Sequence, residues 1–105
     1  MIKIQIVEKL FSEKKIVYIN VSGHSNYAEK GSDIVCAGVS SVFTVVASNI
    51  DENNFEVELR DGFGSIKCKK EPSDRDNFLM NCFKDYIQDV VKQYAKYVSL
   101  DIESL

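Results

Sequence analysis

A chain of 105 residues and 11.9 kDa has the length of a single domain, taken here as one unit over residues 1–105. A compact chain of this mass hides roughly 65% of the surface its unfolded form exposes, and with 45% hydrophobic residues it needs no staples to build a core. Thirteen Lys and Arg against sixteen Asp and Glu leave a net charge of −3 and a pI near 5.1, which argues against a dedicated nucleic-acid binder. No apolar run approaches the roughly 20 residues of a membrane span. Three widely spaced cysteines (Cys36, Cys68, Cys82) without a Cys-x-x-Cys pair exclude a disulfide framework and a zinc knuckle. These features predict an acidic, soluble, cytoplasmic domain with no metal and no cofactor.

In chain order, Ile2, Ile4 and Ile6 alternate with Lys3 and Gln5, the period of a half-buried strand. After a turn at Ser12-Glu13-Lys14, Val17, Ile19 and Val21 repeat that period, so the two runs predict a hairpin. Residues 22–32 hold two glycines and few apolar side chains and predict a loop. Ser32 or Asp33 then caps a helix to about Ile50. That helix carries no charge and is expected to be buried on most sides, with Gly38 permitting a close contact. Phe55, Val57 and Leu59 alternate with Glu56, Glu58 and Arg60 in a third strand with one wet face. Asp61-Gly62 marks a hairpin turn into a fourth strand to Lys69. Ser73 caps a final amphipathic helix to about Tyr97, with Leu79, Phe83, Tyr86, Val90 and Tyr94 inward and Cys82 on the apolar side. The predicted order is ββαββα, an α+β domain with two helices on a four-stranded antiparallel sheet.

The chemistry-bearing candidates cluster early. His24, the single histidine, lies in the polar loop, and Cys36 lies in the first turn of the uncharged helix. Unpaired amides and the positive end of the macrodipole favour a thiolate there. A thiolate with an imidazole suffices for nucleophilic acyl transfer, and free helix-end amides can serve as oxyanion donors. The loop between the two can bring them together or leave them ~40 Å apart. On residue types alone, the commoner reading is Cys36 as a packed core residue and His24 as a solvated one, ahead of a catalytic pair. Asp33 reads as a helix cap or as an orienting group for the histidine, and Ser40, one turn after Cys36, as a nearby hydrogen-bonding group or a small packing residue. Cys68 and Cys82 read as structural, and Gly31 as a tight turn.

Residues 23–40, Gly-His-Ser-Asn-Tyr-Ala-Glu-Lys-Gly-Ser-Asp-Ile-Val-Cys-Ala-Gly-Val-Ser, resemble the signature of the ribosomal-processing cysteine protease family, Prp. That pattern is Gly-His, a short variable loop with a glycine, then Asp-Ile-Val-Cys-Ala and a nearby Ser; Ser25 and Asn26 depart from the small residues usual after the histidine. The resemblance implies a cysteine endopeptidase with Cys36 as nucleophile and His24 as base and acid. It implies removal of a short N-terminal extension from a large-subunit ribosomal protein, the twenty-seventh in its series. It further implies a homodimer, for which Tyr86, Tyr94 and Tyr97 or a sheet edge can supply the surface. An acidic protein can act on a ribosomal component if it reads a peptide and not RNA. On this reading the loop residues Gly23, Ser25, Tyr27 and Gly31 form a substrate-binding cover over the Cys36 pocket that moves when an extended, apolar peptide docks. The competing readings are a non-enzymatic ribosome- or partner-binding module with Cys36 packed in the core, and a thiol redox protein lacking a nearby resolving cysteine.

Overall fold

The computed structural model describes residues 1–29 and 33–105. The elements are β1 (Ile2–Leu10), β2 (Lys14–Ser22), α1 (Ile34–Asn49), β3 (Phe55–Arg60), β4 (Phe63–Cys68), α2 (Asp74–Tyr94) and β5 (Val98–Ser104). The sheet has five strands in the order β3-β4-β2-β1-β5 and is mixed, since β5 runs parallel to β1 while the other pairs are antiparallel. The expectation of four antiparallel strands is thereby corrected. The physical reason lies at the end of α2, which stops at Tyr94 rather than Tyr97. The Tyr97 amide donates to the Tyr94 carbonyl, and the Ile2 amide donates to the Tyr97 carbonyl, steering the chain alongside β1. Val98, Leu100 and Ile102 then alternate as strand residues next to Ile2, Ile4 and Ile6.

Both helices pack on one face of the sheet. Ile2, Ile4, Ile6, Ile16, Ile19 and Ile66 rise from that face into the core. A bulge pairs Val7 with Tyr18 but Glu8 with Ile16, so Val17 is the extra residue. The shift brings Ile16 onto the core face, opposite Glu8, which keeps the inward parity of Ile2, Ile4 and Ile6 and whose carboxylate lies 3.2 Å from Lys84 Nζ.

Val35, Val39, Phe43 and Val46 form the buried stripe of α1, at the spacing one helix face requires. The expectation of burial on most sides fails: Ile34 and Val45 are each 60% exposed. The outer face is carried by hydroxyls at Ser40, Ser41, Thr44 and Ser48 in place of charges. Phe43 lies edge-on to Phe83 at 5.9 Å and against Gly64, where any Cβ would stand 3.0 Å from its ring. At Gly38 a Cβ would collide with the Tyr86 hydroxyl, so α1 and α2 meet there at glycine distance.

In α2 the Ser73 hydroxyl accepts the Asp76 amide at 3.1 Å, and Asp74 and Asp76 complement the positive helix end. Met80, Phe83, Ile87 and Val90 face the core. Cys82 does not: it is exposed, because its position falls between the buried rows of Met80 and Phe83 and points outward. β3 is an edge strand wet on both faces beyond Phe55, rather than on one. Among the described residues no helix is long and apolar enough to cross a membrane.

Candidate active site

The site begins where β2 ends. Gly23 takes φ +92°, a conformation that favours glycine, and its amide donates to the Gly62 carbonyl at 2.9 Å. A side chain here would strike the Met1 carbonyl. The next residue, His24, lies over the β3–β4 turn. A Cβ at Gly62 would stand 2.8 Å from the histidine Nε2, so the ring rests where Gly62 lacks a side chain. Gly62 itself has φ +73°, as the Asp-Gly turn requires.

Beyond His24 the chain turns inward. Ser25 is 2% exposed and its hydroxyl donates to Asp33. Asn26 occupies the left-handed region at φ 57°, which Asn tolerates better than most residues. The Tyr27 amide donates to the same Asp33 oxygen at 3.1 Å. The Tyr27 ring meets Tyr94 and Tyr97 edge-on at 5.5 and 5.1 Å, anchoring this stretch to the end of α2. Gly31, expected in the same substrate loop, lies outside the described residues.

Asp33 is the N-cap of α1, and its other oxygen accepts the Cys36 amide at 2.9 Å. Burial pushes its carboxyl up, but the donors from Cys36, Ser25, Ala28 and Tyr27 outweigh this and hold it below the usual carboxylate range. The expectation of free helix-end amides is therefore corrected at Cys36, whose N–H is engaged by the cap. Ala37 likewise donates to the Asp33 carbonyl.

Cys36 is half-buried in the first turn of α1. His24, Cys36 and Ser40 together line two adjoining cavities. The inner one, about 70 Å³, is walled by Val21, Val39, Phe43, Leu59 and Phe63. The outer one, about 430 Å³, is lined also by Asn26, Asp33 and Asp61. A larger groove of about 740 Å³ lies on the open face of the sheet, beside Tyr18, Lys67 and Cys68, and includes neither His24 nor Cys36. Chemistry rather than size selects the smaller pair. The remaining cysteines are free, and burial pushes the Cys68 thiol up, which weakens it as a nucleophile. Among the described residues no three His, Cys, Asp or Glu side chains are grouped to hold a metal ion.

The sequence reading missed the floor of the site, Leu59 to Phe63. Asp61-Gly62 was legible as a turn, but its place beside His24 follows from β4 pairing with β2, where Ser22 faces Phe63.

The sequence profile described as cysteine protease Prp matches residues 1–99. The chain belongs to the cysteine protease Prp family. A segment of 39 residues is 44% identical to the ribosomal processing cysteine protease Prp of Bacillus subtilis (strain 168), covering 37% of this chain and 35% of that protein. Among solved structures the fold matches the essential ribosomal processing protease Prp of S. aureus bound to a covalently linked product peptide. The TM-score is 0.80 at 20% identity, over 95% of this chain and 99% of the other. The same S. aureus protease with a substrate peptide matches with a TM-score of 0.78 at 21% identity, over 98% and 100% of the two chains. At such identities the two structures establish the fold.

Proposed function

We propose that the protein is an endopeptidase in which Cys36 is the nucleophile and His24 the general base and acid. The observation that carries this reading is the shared cavity: the single histidine and the helix-start cysteine line the same two adjoining spaces in a chain of the Prp family. His24 takes the thiol proton, the sulfur attacks the scissile carbonyl carbon, and the imidazolium protonates the departing amine. Water, deprotonated by the same imidazole, then hydrolyses the thioester and restores the thiol. Asp33 acts as a positioning residue, joining the loop of His24 to the turn of Cys36. Ser40 stands at the cavity wall one helical turn away and offers a hydroxyl to the bound peptide.

The substrate is the N-terminal extension of the large-subunit ribosomal protein that is twenty-seventh in its series. The S. aureus protease of the same fold has been captured with substrate and product peptides, which supports a peptide in this cleft. Reading a peptide needs no basic RNA-binding face, in keeping with the net charge of −3. A homodimer working in the cytoplasm completes the reading. Incubation with a synthetic peptide of that extension, followed by mass spectrometry, should give one cut with wild-type protein and none with Cys36→Ala. Unchanged cleavage by Cys36→Ala would move the nucleophile elsewhere and sink the assignment.

A further inference from the structure

We propose that the outer edge of β3, with Val57 and Leu59, holds the substrate polypeptide as an added strand leading to Cys36. This rests on the endopeptidase reading and adds to it where the peptide lies and which side chains it offers.

β3 pairs with β4 on one side and ends the sheet on the other. Its ladder with β4 runs from Phe55 opposite Cys68 to Arg60 opposite Phe63 without a register shift, and the strand contains no proline. Natural edges of this kind are usually blunted by bulges, prolines or inward-pointing charges. Here the side facing the helix layer does the opposite. Val57 and Leu59 lie opposite Ile66 and Gly64, which belong to the buried face, yet they are 44% and 54% exposed because the helices do not reach over β3. The charged Glu56, Glu58 and Arg60 alternate onto the other side. Two apolar side chains beside an unpaired backbone edge are the features a strand-adding peptide uses: main-chain bonds for affinity and alternate side chains for selectivity.

The strand also points at the chemistry. Leu59 and the turn that follows it line the inner cavity with His24 and Cys36. A peptide laid along the edge therefore ends beside a wall of that cavity, formed by Leu59 and the turn after it. Val57 and Leu59 are two residues apart, about 6.6 Å along a strand. The favoured ligand is thus an extended peptide with apolar residues at alternate positions, one of them next to the scissile bond.

The test uses Cys36→Ala protein, which retains bound peptide uncut, and a fluorescent decapeptide of the ribosomal extension. Binding should slow hydrogen exchange at alternate amides of β3. Val57→Lys and Leu59→Lys should each weaken binding about tenfold or more, while Glu56→Gln on the opposite side should not. N-methylation of the peptide on unaltered protein should weaken binding at every second position only, which keeps the test open if a lysine variant folds poorly. Tight binding with unchanged β3 exchange, or equal loss at successive N-methylated positions, overturns the proposal. Wild-type protein that cuts the peptide without protecting β3 sinks the added strand alone. Protection of β3 by a peptide that is never cut sinks the endopeptidase reading instead.

Discussion

The hydroxyl of Ser25 donates to the carboxylate of Asp33, and that bond ties the histidine loop to the helix bearing the cysteine. The other Asp33 oxygen caps the Cys36 amide, so one side chain spans both halves of the site.

Asp33→Ala should therefore lower stability by about 1–2 kcal/mol, the range for lost N-caps. The pH dependence follows from the direction of the shift. The folded carboxyl is held below its ordinary range, so it binds a proton less readily than in the unfolded chain. Its stabilisation is complete at neutral pH and is lost as pH falls through the depressed folded value. Urea unfolding at pH 7 and in strong acid should show the wild-type advantage shrinking in acid. An advantage of equal size at both would exclude the carboxylate as its source.

Gly62→Ala should displace the imidazole of His24, because the new Cβ would stand 2.8 Å from Nε2. It also forces a side chain into the left-handed region, at roughly 1–2 kcal/mol. Gly62→Asn relieves most of that strain but keeps the clash. Both variants should lose kcat about tenfold or more with KM little changed, together with shifted His24 ring resonances. Recovery of kcat in Gly62→Asn would assign the effect to backbone strain alone.

Gly38→Ala should destabilise the helix pair, since its Cβ would meet the Tyr86 hydroxyl. Tyr86→Phe removes the colliding oxygen. The double variant should unfold at a higher temperature than Gly38→Ala alone, a non-additivity expected only of residues in contact. Strictly additive melting temperatures would place the strain elsewhere.

His24→Ala should abolish turnover while leaving the melting temperature nearly unchanged, because the ring is exposed and rests on a glycine. Iodoacetamide labelling, read by mass spectrometry, should modify Cys36 faster in wild-type protein than in the variant. Equal labelling rates would remove the histidine from any role in activating the sulfur.

Much of this was legible from residue order. The cap at Asp33, the turn at Asp61-Gly62 and the cap at Ser73 follow from local chemistry that needs no tertiary partner, and each stands where expected. What escaped depended on neighbours. Alternation shows that Val57 and Leu59 share a face, but not whether a helix lies over it. The tyrosines at 94 and 97 continue an apolar rhythm, so the switch into β5 was hidden until Tyr97 is seen bonding to Ile2. Cys82 sits among apolar neighbours in sequence yet projects outward, because one helical position shifts a side chain by about 100°.

The pairing of β5 with β1 joins Ile2 to Val98, nearly the full span of the chain. During synthesis the opening strand must wait, one side unpartnered, until the closing strand has been made. Contacts between such distant residues slow folding. The segments that carry His24 and Cys36 are therefore made well before the last strand of the sheet can add to its first.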